Sequence, residues 1–87
     1  MKRIIVNITC DLSKVPDLET ILPKELDTSS QFKDKGVLEH VFAKDDAKGA
    51  ILIFKNLDEN QVKQHVADFP LAPYFEEIVY TTTEKHF

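Results

Sequence analysis

The alternation of short strand-like and longer helix-like apolar segments is the feature that most constrains the fold of this chain. Side chains on one strand face repeat every two residues, whereas those on one helix face recur at three and four residues. A strand pattern comes first, followed by a helix pattern, two strand patterns, a second helix pattern and a last strand pattern. The order of these segments, more than any single motif, decides which folds are open to the chain.

The strand predictions rest on short runs rich in β-branched and aromatic residues. The predicted strands cover residues 3–10, 37–43, 50–55 and 74–82. The polar segment 44–49 is short enough to join the second and third strands as a hairpin. The Ile-Leu-Ile-Phe run at residues 51–54 of the third strand is continuously apolar, which indicates that both faces of this strand are covered.

The helix predictions rest on apolar residues that stack on one face. The first helix is predicted over residues 15–34, with Ser13 as N-cap and Gly36 as the C-terminal stop. Pro23 removes one helical hydrogen bond, which predicts a kink or break within this helix. The second helix opens at Asp58, where a glutamine three residues on suggests a capping box.

The order β-α-β-β-α-β is the split βαβ or ferredoxin-like arrangement of the α+β class, with an antiparallel sheet. Both helices are expected to cover one sheet face and to leave the other to a partner or a ligand. A chain of 87 residues accommodates one domain, so residues 1–87 are expected to form it. Because a domain of this size buries only about 60–65% of its unfolded surface, a homodimer or larger homo-oligomer is expected.

Composition excludes several classes of partner. The net charge is −4 and the only arginine is Arg3, which argues against nucleic acid and against anionic membranes. No apolar stretch is long enough to span a bilayer. The one cysteine, Cys10, ends a strand-like run, so we interpret it as a small buried hydrophobic residue in a protein of the reducing cytoplasm.

Two short motifs in the second half of the chain carry a resemblance to a known family. Residues 36–40 read Gly-Val-Leu-Glu-His at the opening of the second strand, and residues 70–74 read Pro-Leu-Ala-Pro-Tyr after the second helix. This layout resembles muconolactone isomerases, small proteins of the dimeric α+β barrel superfamily. The resemblance covers residues 36–78, whereas over residues 1–35 only element order and length agree.

The resemblance implies a cofactor-free isomerase that shifts a double bond in a small unsaturated lactone by proton transfer. It also implies that two copies pair sheet to sheet, with a small-molecule pocket between sheet and helices. Such chemistry needs a group whose pKa lies near the working pH in a water-poor pocket. An imidazole or a desolvated carboxylate meets that need.

Carried over by position, the resemblance assigns His40 and Glu25 as catalytic residues and Tyr74 as a substrate contact. We further predict Leu38 and Phe54 as substrate contacts. Strand alternation places Leu38 and His40 on one face, where a core histidine or a dimer contact is the alternative for His40. Glu25 lies near the margin of the helical stripe, where an exposed carboxylate is the alternative.

Other hypotheses stay open. Where the family has a tryptophan and an arginine before the histidine, this chain has Leu38 and Glu39, which works against binding an acidic lactone. A non-catalytic small-molecule-binding or assembly module on the same scaffold is therefore the main alternative. A cofactor-independent oxygenase or haem-handling protein is a third hypothesis, disfavoured by the lack of tryptophan.

Glu76 or Glu77 is a further candidate for a catalytic base that points inward from the last strand. The separated histidines lack zinc-ligand spacing, so no metal site is predicted.

Overall fold

The chain folds into a four-stranded antiparallel sheet with two helices on one face. The structure, a computed structural model, describes all residues from 1 to 87. The strands are β1 (Lys2–Thr9), β2 (Leu38–Ala43), β3 (Gly49–Phe54) and β4 (Glu77–Glu84), and the helices are α1 (Leu18–Asp34) and α2 (Glu59–Ala67). The sheet order is β2-β3-β1-β4, with every neighbouring pair antiparallel. The predicted ferredoxin-like βαββαβ fold is confirmed.

Helix α1 and strand β4 each begin three residues later than predicted, after a short 3-10 turn. Leu12–Lys14 forms one such turn, which Asp11 caps, so Ser13 lies in this turn and is not the N-cap of α1. Ala72–Tyr74 forms the other, so β4 begins three residues later than predicted. Pro23 lies inside α1 without breaking it, because a helix of 17 residues tolerates one missing hydrogen bond.

The predicted helix signals at α2 and at the end of α1 are confirmed. The Asp58 carboxylate accepts a hydrogen bond from the backbone N–H of Gln61, and the Gln61 side chain accepts one from the Asp58 backbone. Gly36 follows α1 with a φ of 76°, a conformation that suits glycine. Neither helix combines the length and the apolar composition needed to cross a bilayer.

The core fills the space between the helices and one face of the sheet. Phe54 and Val6 from the central strands are fully buried against Val62 and Val66 of α2. By contrast, α1 buries only Phe32, near its C-terminal end. The two helices therefore differ in how many side chains they bury completely in the core.

A bulge in β2 changes which side chains share a face. Leu38 pairs with Phe54, but His40 pairs with Ile53, so Glu39 is an extra residue in this strand. Leu38 therefore faces the helices, whereas His40 lies on the open face of the sheet. The prediction that Leu38 and His40 share a face is wrong, because period-two alternation does not continue through a bulge.

The two glycines provide a matched test of the backbone. Gly49 has a φ of 149°, and an added Cβ would overlap the carbonyl oxygen of Ile8, whereas nothing lies within 4 Å of a Cβ at Gly36. We expect Gly36→Ala to lower the free energy of unfolding by about 1–2 kcal/mol. Gly49→Ala should cost at least about 3 kcal/mol, because overlap adds to backbone strain. Urea denaturation measures both, and equal losses would contradict this account of Gly49.

Candidate functional site

An apolar cavity lies between α1 and the end of the sheet where β1 and β3 meet. Its volume is about 150 Å³, and 12 of its 15 lining residues are hydrophobic. Glu25 supplies the only carboxylate in its wall, and Ser29 the only hydroxyl. The other lining side chains come from α1, from the strands and from the segment after α2, among them Leu22, Ile8, Leu52, Phe69 and Phe75.

Glu25 projects from α1 into this cavity and is half-buried. Its Oε1 accepts a hydrogen bond of 3.1 Å from the backbone N–H of Leu71. Burial raises the pKa of the Glu25 carboxyl above its usual value, and the Leu71 N–H opposes part of that rise. The alternative of an exposed helix carboxylate is therefore wrong, because the chain after α2 folds over this part of α1.

The segment from Pro70 to Tyr74 explains why Leu71 presents its N–H to the carboxylate. Phe69 and Leu71 are buried and anchor the segment in the core. The 3-10 turn after Leu71 is closed by a hydrogen bond of 2.8 Å from the Tyr74 N–H to the Leu71 carbonyl. The same segment thus contributes both cavity wall and the donor that orients Glu25.

A shallow groove continues from the cavity mouth along the outer edge of the sheet to His40. Its volume is about 340 Å³. Leu26, Ser29 and Val41 line both the cavity and the groove, so the two spaces adjoin. Lys33 and His40 lie in the groove wall but not in the cavity wall. The predicted catalytic pair, Glu25 and His40, is therefore not brought together in one closed pocket.

His40 belongs to a polar cluster on the open face of the sheet. Its side chain is 55% exposed, and its Nε2 lies 3.9 Å from Glu39 Oε1. Arg3 holds the same carboxylate by two hydrogen bonds, Nε to Oε1 at 2.9 Å and Nη2 to Oε2 at 3.1 Å. Lys85 Nζ lies 3.6 Å from the other oxygen. The Arg3 hydrogen bonds lower the pKa of the Glu39 carboxyl to about 2.

The three predicted substrate contacts lie outside the cavity. Phe54 is fully buried in the core, and Leu38 is buried beside it and reaches only the groove. Tyr74 packs against the core, while its neighbour Phe75 lines the cavity. Of the carboxylates considered for an inward position, Glu76 and Glu77 are both exposed. Glu25 is thus the carboxylate that faces the pocket.

Three residues of the cavity and groove were not recognised from the sequence as site residues. Ser29 stands one helical turn after Glu25, so i+4 spacing from a candidate base could have indicated it. Lys33 follows at the same spacing, but a helix-end lysine carries no specific signal. Cys10 was correctly interpreted as buried, and the structure adds that it lines the cavity. No group of three or more His, Cys, Asp or Glu side chains is placed to hold a metal ion.

Comparison with known proteins shows the fold alone. No protein-family model and no curated protein matches the chain. Among solved structures, 5-chloro-2-hydroxyhydroquinone dehydrochlorinase from Burkholderia phenoliruptrix, in complex with 2,5-dihydroxybenzoquinone, is 14% identical with a TM-score of 0.65, covering 98% of this chain and 95% of its own. A putative antibiotic biosynthesis monooxygenase from Nitrosomonas europaea is 13% identical with a TM-score of 0.67 over 100% of both chains.

A third neighbour shows that the same fold carries different chemistry. Acylphosphatase from Bacillus subtilis is 12% identical with a TM-score of 0.60, covering 98% of this chain and 88% of its own. Because one fold supports such different activities, function has to be argued from the site. The chain has the ferredoxin-like α+β fold of these proteins.

The Arg3–Glu39 pair predicts that the protein loses stability as the pH falls. A carboxyl whose folded-state pKa is depressed stabilises the protein above its unfolded value and loses that contribution as pH falls. For Glu39 the window runs from 4.5 down to about 2. We expect Glu39→Gln to be less stable than the native chain above this window, with the difference shrinking within it. Urea denaturation across pH measures this, and Glu77→Gln, an exposed carboxylate on the same face, is the control.

Proposed function

We propose that this protein binds a small unsaturated ring compound and shifts a double bond within it by proton transfer, as a cofactor-free isomerase of the muconolactone isomerase type. The observation that carries this proposal is the Glu25 carboxylate in the wall of an otherwise apolar cavity. A carboxylate taken out of water is a stronger base than an exposed one. The raised pKa of Glu25 moves it towards neutral pH, where a group that both takes and returns a proton works best.

The size of the cavity sets the class of substrate. An apolar cavity of roughly 150 Å³ accommodates one benzene-sized ring, and this cavity has about that volume. A five-membered lactone is of similar size. The quinone bound by the dehydrochlorinase that shares this fold is also a single ring, which supports a ring-shaped guest.

The proposed reaction needs one base and a polarised carbonyl. Glu25 removes a proton from the ring carbon beside the carbonyl, the electron pair moves into the conjugated system, and a proton returns at the far carbon. The Leu71 N–H holds the carboxylate in place during the transfer. Ser29 is the cavity hydroxyl available to donate a hydrogen bond to the carbonyl oxygen, whose negative charge grows as the proton leaves.

The groove supplies a lysine and an imidazole for an acidic substituent. Lys33 and His40 line it beyond the cavity mouth. A ring seated near Glu25 with a carboxylate tail in the groove would place that tail between these two side chains. This arrangement replaces the arginine that the family carries before the histidine, where this chain has Glu39. His40 then binds substrate or transfers a proton at the groove end, not inside the cavity.

We also propose that two copies pair through the open sheet face. Phe42 and Val79 on this face are 54% and 47% exposed, beside half-buried Ile5, Ile51 and Ile53. The prediction that β3 is covered on both faces is met only if a partner covers this side. A second copy presents the same apolar patch, which suits the isologous contact of a two-fold dimer.

A binding or assembly module without catalysis is the second candidate. Glu39 is already paired with Arg3, and Leu38 is buried in the core, so neither replaces the tryptophan or arginine of the family. Such a module would bind ring compounds in the same cavity and leave them unchanged.

A substitution that removes the Glu25 carboxylate distinguishes the isomerase from the binding module. Glu25→Gln keeps the size of the side chain and an acceptor for the Leu71 N–H, so folding and ring binding should be retained. We expect the isomerisation of a β,γ-unsaturated lactone to fall by about 10²–10⁴-fold. Proton NMR of the lactone in buffered D₂O measures the rate.

The matched control is Asp27→Asn, which makes the same change two residues along α1 at an exposed carboxylate. It should leave the rate unchanged. A native chain that binds the lactone without converting it would favour the binding module. Equal rates in the native chain and Glu25→Gln would remove Glu25 from the mechanism.

A charge on the open sheet face should prevent pairing. We expect Phe42→Glu to be monomeric at concentrations where the native chain is dimeric, because each dimer would bury two unpaired carboxylates. Leu26→Glu is the control, since Leu26 is an equally apolar, 67% exposed residue on the opposite layer. Analytical ultracentrifugation measures both. A native chain that stays monomeric at high concentration would end the pairing proposal.

A further inference from the structure

Two titratable side chains line the cavity, and the proposed reaction assigns a role to only one of them. Cys10 and Glu25 both line it, Cys10 from the end of β1 and Glu25 from α1. Cys10 is a free thiol, only 2% exposed, and its backbone N–H is fixed by a hydrogen bond of 2.9 Å to the Lys48 carbonyl. The sheet floor and the helical roof of the cavity thus each contribute one proton-carrying group.

The surroundings keep these two groups in opposite protonation states. Burial raises the pKa of the Cys10 thiol, and the negative charges of Glu76, Glu25 and Asp11 raise it further. Glu25 ionises first, because a carboxyl is a much stronger acid than a thiol. Paired groups whose pKa values are held apart mark out an acid and a base. In the resting site, Glu25 is the base and Cys10 holds a proton.

We propose that Cys10 is a second catalytic residue, whose thiol delivers the proton to the far ring carbon after Glu25 has removed one beside the carbonyl. This inference rests on the proposed isomerase function and adds to it the identity of the proton donor. It makes the transfer a two-group reaction across the cavity.

The steps balance without any other reactant. The Glu25 carboxylate forms an O–H bond as the ring C–H bond breaks, and the electron pair gives a dienolate. The far carbon of the dienolate takes the Cys10 proton with an electron pair from its double bond, which leaves a thiolate. Neutral Glu25 then returns its proton to the Cys10 thiolate, directly or through solvent. This last transfer is favourable because the carboxyl is the stronger acid.

Isotope transfer in the native protein tests the proposal without a substitution. The probe is α-angelica lactone, a β,γ-unsaturated five-membered lactone, dideuterated beside the carbonyl and converted in H₂O. If Cys10 donates, the product carries solvent hydrogen at the far carbon, because the thiol proton does not come from the substrate. The product of a single turnover is measured with protein in excess, because direct transfer from Glu25 would load Cys10 with deuterium for the next turnover. Substrate deuterium at that carbon then shows that Glu25 returns its own proton and overturns the assignment.

Substitution gives an independent measurement. We expect Cys10→Ala to lower the isomerisation rate by about 10²-fold, while deuterium beside the carbonyl still washes out of unconverted lactone at a rate close to native. Ile4→Val is the matched control, since Ile4 is also buried, lies on the helix-facing side of β1 outside the cavity wall, and also loses one heavy atom. It should isomerise the lactone at a rate close to native.

The outcomes distinguish a failure of the Cys10 assignment from a failure of the proposed isomerase function. If the native chain neither converts the lactone nor exchanges its deuterium, the proposed isomerase function fails and Cys10 has no catalytic role. If Glu25→Gln is inactive but Cys10→Ala converts the lactone at the native rate, the isomerase stands and the Cys10 assignment is wrong. Wash-out without conversion in Cys10→Ala supports both.

Discussion

Packing of α2 against the centre of the sheet is the interaction on which the rest of the structure depends. Val62 and Val66 belong to the same core cluster as Val6 and Phe54, and all four side chains are fully buried. Helix α1 buries only Phe32 completely, near its end, and Leu18, Ile21 and Leu22 of its earlier turns are half-buried against the core. The cavity lies under those turns. Both helices thus contribute to the core, and the half-buried turns of α1 leave room for a guest.

The same architecture explains the chemical character of the site. A cavity roofed by α1 and floored by strand side chains leaves whatever projects into it half-buried among apolar side chains. Glu25 projects there, and the N–H of Leu71 donates a hydrogen bond to its carboxylate, so the half-buried charge has a partner. On the other face of the sheet, the bulge in β2 turns Glu39 and His40 to one side, and Arg3 neutralises the acid. A single extra residue in an edge strand therefore separates the histidine from the cavity.

Local signals in the sequence predicted the parts of the site that depend on local chemistry. The glycine stop after α1 and the capping box at Asp58 place the helices, and Cys10 was recognised as buried. Contacts between distant segments were beyond such reasoning. The Leu71 N–H reaches Glu25 across 46 positions, and no periodicity encodes that meeting. The substrate contacts predicted at Phe54 and Tyr74 failed to reach the cavity for the same reason, since both side chains are used by the core.

The sequence by itself determined the order of strands and helices, because strand and helix periods depend only on where apolar side chains recur. It also determined the end of α1 and the start of α2, because glycine and capping side chains act on their immediate neighbours. Only the tertiary structure decided which carboxylate loses its water and which face His40 occupies. Desolvation is set by whichever segments pack over a side chain, and a bulge is set by the register between strands, so both are properties of the assembled fold.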